Sequence, residues 1–134
     1  MTTVLVFGTF DFVHAGHLHL LKEAKKFGDK LVVSISRDSV VESLKGKPPI
    51  HDETERSELV QALSYVDDVV LGDEELGTYS YIQEHKPDII ALGYDQQMLK
   101  EDLETKEFPC EIRVIETYKE GRHKSSTIKN ALSL

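Results

Sequence analysis

A single cysteine, Cys110, stands in 134 residues, so no intramolecular disulfide framework and no Cys-x-x-Cys zinc or redox pair can form. Tryptophan is absent. No apolar run approaches the ~20 residues of a membrane-spanning helix, and Met1-Thr2-Thr3 leads directly into a strand-like segment instead of a signal peptide. Bases are scarce. Sixteen Lys and Arg against twenty-four Asp and Glu give a formal charge of −8, which argues against non-specific nucleic-acid binding. Neither a Walker loop nor a GxGxxG fingerprint is present. The expected setting is reducing and cytoplasmic, with no membrane and no nucleic-acid partner. What remains is an ordinary globular composition, 40% hydrophobic and 30% charged. The length fits one domain spanning residues 1–134.

Short β-branched runs alternate with helical stretches. Val4-Leu5-Val6-Phe7, Lys30 to Ser36, Val66 to Leu71, Asp88 to Leu92 and Cys110 to Ile115 read as strands. Near-continuous apolar runs in the first, second and fourth fit strands covered on both faces of a parallel sheet. His17 to Phe27 places Leu20, Leu21, Ala24 and Phe27 on one helical face. Asp52 to Leu63 opens with an acidic capping box and is expected to bury Leu59, Val60 and Leu63. Thr78 to His85 and Gln96 to Lys106 read as further helices. Ser125-Ser126 offers the N-cap of a terminal one carrying Ile128, Ala131 and Leu132. The pattern predicts an α/β fold: an open parallel five-stranded sheet with helices on both faces. Lys45-Gly46-Lys47-Pro48-Pro49 reads as a mobile loop.

In such sheets ligands bind beyond the carboxyl ends of the strands. The chemistry-bearing residues do follow the strands. Gly8-Thr9-Phe10-Asp11-Phe12-Val13-His14-Ala15-Gly16-His17 follows the first, Arg37-Asp38 the second and Gly93-Tyr94-Asp95-Gln96 the fourth. Gly121-Arg122-His123-Lys124-Ser125-Ser126-Thr127 follows the fifth. His14 and His17 sit where the chain enters a helix, whose N-terminus presents unpaired N–H groups and a partial positive charge. Both rings can aim at one phosphate there. Gly8 and Gly16 would let the backbone approach that ligand. A zinc pair or two solvent-facing histidines are the other readings.

GTFDFVHAGH resembles the TFDxxHxGH signature of the cytidylyltransferase-like nucleotidyltransferases, and HKSSTI resembles their late ISSTxI element, with Lys124 where an Ile usually stands. The resemblance covers essentially the whole chain. It implies a Rossmann-like nucleotidyltransferase fold and attack of an acceptor on the α-phosphate of a nucleoside triphosphate, with pyrophosphate leaving. Catalysis of this kind needs alignment and charge neutralisation more than covalent chemistry. By resemblance His14, His17 and Lys45 are catalytic, with Lys47 beside Lys45 on the phosphates. Thr9, Phe10, Asp11, Gly93, Asp95, Arg122, Ser125, Ser126 and Thr127 join the two histidines in holding the nucleotide.

Each assignment has a plainer alternative: solvated lysines, an exposed Arg122, N-capping by Ser125 to Thr127, and an N-cap role for Asp95. Arg56 is placed by resemblance in the site, and a helical charge pair is its alternative. No protein metal site is implied. Mg2+ arrives with the triphosphate, and Asp11 can help hold it or orient a Lys or His.

Within the superfamily, KGKPPIHDETERSELVQALSYVDDVVLG and KPDIIALGYDQ resemble the archaeal-type FAD synthases, which join FMN to the AMP of ATP. Glycerol-3-phosphate cytidylyltransferase, using CTP, is the second resemblance. A nucleotide-binding module without turnover is the alternative of another class. Tyr79, Tyr81, Tyr94 and Tyr118 are the aromatics on offer for a flavin. The resemblance also implies a homodimer.

Overall fold

Runs rich in Val, Leu and Ile pair into one all-parallel sheet in the computed structural model, which describes residues 1–116. The strands are β1 (Thr3–Gly8), β2 (Lys30–Ile35), β3 (Asp68–Leu71), β4 (Ile89–Gly93) and β5 (Glu111–Ile115), in the order β3-β2-β1-β4-β5. The predicted terminal helix, with Ile128, Ala131 and Leu132, lies outside the described residues.

Side chains alternate across the sheet with the period of two that a strand imposes. Val4, Val6, Leu31 and Val33 meet Leu21 and Ala24 of α1 (Ala15–Lys25) and Val60 of α3 (Glu53–Gln61). On the opposite face Leu5, Val32, Ile90 and Leu92 meet Ile82 of α4 (Ser80–His85) and Leu103 of α5 (Gln97–Lys106). Each fully buried aliphatic side chain contributes ~1.5–3 kcal/mol. Central strands loaded on both faces leave little choice but a three-layer α/β arrangement.

Four expectations are corrected. A helix absent from the sequence reading, α2 (Asp38–Lys45), follows β2 and ends at Gly46, whose φ of 78° closes it. Its Val40-Val41 pair masks the helical pattern, because β-branched residues suggest strand. Lys45 is therefore the last residue of a helix, and the loop starts one residue later. The third strand begins at Asp68, because the Val66 N–H donates to Leu63 O in the turn leaving α3. Leu59 is 49% exposed. The face of α3 against the sheet runs through 56, 60 and 63, and a fully buried arginine, Arg56, takes the first of those places.

Candidate active site

The order of the sheet reverses between β1 and β4, so the crevice for a ligand opens beyond Gly8 and Gly93. His14 is the N-cap of α1. Its Nδ1 accepts the Gly16 N–H (3.1 Å), and His17 Nδ1 accepts the His14 N–H (3.3 Å). The two imidazoles thus form a capping box in place of the usual hydroxyl and carboxylate. They stack with ring centroids 4.0 Å apart and planes inclined by 26°. With its Nδ1 accepting, the neutral His17 ring carries its proton on Nε2. The space over Gly16 is taken by the His14 ring, since a Cβ there would lie 3.0 Å from its Cε1. A Cβ at Gly8 would lie 2.4 Å from the Phe10 ring. These glycines make room for side chains of the loop itself.

Burial lowers the His17 pKa from its ordinary 6.5 to about 4; the neighbouring His14 lowers it further, and the Phe12 carbonyl opposes both. His17 is neutral at pH 7. Between those two values the unfolded chain holds a proton that the folded chain does not, so stability falls as pH drops from about 6.5 to about 4. His17→Gln keeps an acceptor for the His14 N–H and removes the titration. Urea midpoints measured from pH 7 to 4.5 should fall more steeply for the wild type than for this variant. Parallel curves would show that His17 protonates freely in the folded chain.

Phe10 supports His17 from below. Its φ of 53° lies in the left-handed region, a costly conformation for a bulky residue. Its ring is 3% exposed and meets the His17 ring edge-on at 4.9 Å. The Phe10 side chain is thus core, and only its backbone faces the loop. Asp11 accepts the Ile50 and His51 N–H groups, each at 2.9 Å, one on each carboxylate oxygen. Burial raises the Asp11 pKa, but those two N–H groups, with the charges of His51 and Arg56, outweigh it and the net shift is downward. Asp11 therefore ties the histidine loop to the segment entering α3. Among the described residues no three His, Cys, Asp or Glu side chains are grouped to hold a metal ion.

Arg56 does not pair along its own helix; its guanidinium is spent on three other segments. Nε donates to His51 O (2.9 Å), Nη1 to Thr9 O (2.8 Å) and Nη2 to Asp38 Oδ1 (2.7 Å). The loop after β1, the start of α2 and the start of α3 meet on this one side chain. Arg37 extends the clamp, donating from Nε to Gly72 O (2.9 Å) and lying 3.5 Å from Glu53 Oε2 through Nη1. Glu53 Oε1 in turn accepts the Asp38 N–H (2.8 Å). Sequence reading places Arg37-Asp38 at the end of the second strand without assigning them partners, and it missed Glu53, because the groups they meet lie on other elements: Gly72 O and Glu53 for Arg37, Arg56 for Asp38.

Lys45 and Lys47 are exposed after β2. Asp95 is exposed in the turn after β4, and the N-cap of α5 is Gln96, so Asp95 does not cap that helix. Arg122, His123, Lys124, Ser125, Ser126 and Thr127 lie outside the described residues. Thr9, His14, His17, Gly93 and Asp95 all follow the carboxyl ends of β1 and β4.

A parallel sheet with a paired-histidine helix start at its switch point defines an α/β nucleotidyltransferase fold of the Rossmann-like class. The chain belongs to the cytidylyltransferase-like family, whose model matches residues 5–131. It is 45% identical over 130 residues to the FAD synthase of Pyrococcus abyssi, covering 93% of this chain and 88% of that one. It is 46% identical over 106 residues to the FAD synthase of Thermoplasma acidophilum, covering 79% and 73%. Among solved structures, the lipopolysaccharide core biosynthesis protein from Thermoplasma volcanium superposes with a TM-score of 0.78 at 41% identity, over 89% of this chain and 99% of that one. Pantothenate synthetase from Thermus thermophilus, at 17% identity, a TM-score of 0.63 and coverage of 90% and 57%, shares the fold alone.

Proposed function

We infer that this chain is an FAD synthase, a nucleotidyltransferase that moves the AMP of ATP onto the phosphate of FMN and releases pyrophosphate. The observation that carries this is similarity to archaeal FAD synthases over 93% of the chain, at 45% and 44% identity for two Pyrococcus enzymes. An FMN phosphate oxygen attacks the α-phosphorus, a P–O bond forms, and the bond to the β-phosphate oxygen breaks. Nothing covalent is asked of the protein. His14 and His17 donate from Nε2 to phosphoryl oxygens on which charge accumulates, and Lys45 and Lys47 neutralise more of it. By the family resemblance, Arg122, Ser125, Ser126 and Thr127 hold the β/γ-phosphates, and Thr9, Gly93 and Asp95 the rest of the nucleotide.

A divalent metal accompanies the triphosphate, and we assign it as Mg2+ held by phosphate oxygens and water. Asp11 is assigned to the loop, since both its oxygens already accept N–H groups. For the flavin, Tyr79 and Tyr81 are committed elsewhere. The Tyr79 hydroxyl donates to Asp102 (2.5 Å), and Tyr81 stacks on His85 at 4.4 Å. Tyr118 lies outside the described residues. Tyr94 and Met98 after β4, with Phe12 and Ile50 across from them in the loops after β1 and α2, are exposed by 43%, 85%, 36% and 69%. They are exposed apolar side chains in segments that follow the strands, and a planar ring system needs such a wall. No helix among the described residues is long and apolar enough to cross a membrane. A cytoplasmic homodimer completes the reading.

Purified protein given a divalent metal and pairwise combinations of ATP or CTP with FMN or glycerol 3-phosphate should make a flavin dinucleotide and pyrophosphate from ATP and FMN. CDP-glycerol without any flavin product would transfer the reading to the cytidylyltransferase. No pyrophosphate from any pair would leave a binding module.

A further inference from the structure

The pairing between β1 and β4 stops early. β1 stays paired with β2 as far as Gly8↔Ile35, and β4 with β5 as far as Gly93↔Ile115. Between β1 and β4 the last pair is Val6↔Ala91. The two central strands therefore part over their final two residues, at the switch point where the site opens.

The register shows what has been displaced. Gly8 O accepts the Ser36 N–H on the β2 side (3.0 Å), so Phe7 O, one residue earlier, points toward β4. One more rung of a parallel ladder would have the Gly93 N–H donate directly to Phe7 O. Instead the Gln96 carboxamide stands between them. Its Oε1 accepts the Gly93 N–H (2.8 Å) and its Nε2 donates to Phe7 O (3.0 Å). The side chain acts as an inserted peptide unit, satisfying both backbone groups while holding the strands apart. Its backbone is braced as well, since the Gln96 N–H donates to Gly93 O (3.0 Å) and closes the turn 93–96. Both partners are needed. An amide has one donor end and one acceptor end, whereas a carboxylate offers acceptors only.

We propose that Gln96 is a positioning residue that sets the width of the crevice between the histidine loop after β1 and the turn after β4. It rests on the nucleotidyl-transfer reading of that crevice. The residue touches no reacting atom. Its effect is to fix the distance between the His14–His17 pair and whatever the Gly93–Asp95 turn holds. Misplacement of about 1 Å between such groups costs on the order of 10²-fold in rate.

The test compares wild type, Gln96→Ala and Gln96→Glu. Alanine removes the spacer. Glutamate retains an acceptor for the Gly93 N–H and turns a second oxygen against Phe7 O. We expect kcat to fall about tenfold to hundredfold in both variants, with KM for ATP and for FMN each within about threefold of wild type. Hydrogen exchange at the Gly93 amide reads the bridge without substrate: slow in wild type and Gln96→Glu, at least about tenfold faster in Gln96→Ala. A kcat per folded molecule within about twofold of wild type in both variants would overturn the proposal, even if both melt earlier. Equal Gly93 exchange in wild type and Gln96→Ala would overturn it too. If wild type releases pyrophosphate with another acceptor, the FMN assignment falls and the same kcat comparison is made with that acceptor. If it releases none with any acceptor, the transfer reading falls and this proposal falls with it, whatever the exchange shows.

Discussion

His17→Ala is expected to lower kcat on the order of 10²–10³, the loss seen when one preorganised donor to a developing oxyanion is removed. The ring is held before substrate arrives, with Nδ1 fixed by the His14 N–H (3.3 Å) and its face against His14 at 4.0 Å. Phe10 packs edge-on from beneath at 4.9 Å. A donor already in place spends nothing on reorganisation as charge builds on the α-phosphate. Water in the vacated space has to be oriented anew. Binding of ATP involves many other contacts, so its Kd should move by less than about tenfold while turnover collapses. The variant also loses half of the capping box, worth ~1 kcal/mol of stability. Steady-state kinetics with calorimetric ATP binding separate these effects. Turnover close to wild type would remove His17 from the chemistry.

Arg56→Met should destabilise the fold by about 2–4 kcal/mol, chiefly by stranding the Thr9 and His51 carbonyls at roughly 1–3 kcal/mol each. The partner carboxylate of Asp38 is 39% exposed and can turn to water. The guanidinium has no exposed surface, and its three bonds reach Thr9, His51 and Asp38. Methionine fills much of the volume but donates nothing, leaving two carbonyls and a carboxylate without their donor. Arg56→Lys keeps the charge yet cannot aim at three acceptors in a plane, so it should recover only part of the loss. Urea unfolding of the three proteins measures this. A loss below about 1 kcal/mol for the methionine variant would mean that the loop, α2 and α3 are held together without it. Because Thr9 and His51 flank the histidine loop and its Asp11 anchor, the variant that remains folded should also lose turnover.

Much of this was written in short stretches of chain. The continuous apolar run Val4 to Phe7, the doubly apolar KLVVSI and IIALG segments, and the helices between them specify a parallel sheet because covering both faces admits few other arrangements. The histidine pair is legible for the same reason. An N-cap, a glycine and a ring three residues on form a local unit, and both hydrogen bonds of the capping box lie within His14 to His17. The early arrest of the β1/β4 ladder, the burial of an arginine in α3 and the capture of Asp11 by Ile50 and His51 leave no such trace.

Sequence by itself determined the strand and helix alternation, the histidine-capped helix start and the family to which they belong, since each depends on neighbours within a few residues. Tertiary structure alone decided that Arg56 clamps three segments, that Asp11 anchors a loop and that Gln96 stands between two strands. Apart from the Asp38 carboxylate, which pairs with Arg56, their partners are backbone groups, which every residue carries alike. Only the meeting of distant segments, Phe7 with Gln96 or Thr9 with Arg56, selects which of those groups is served.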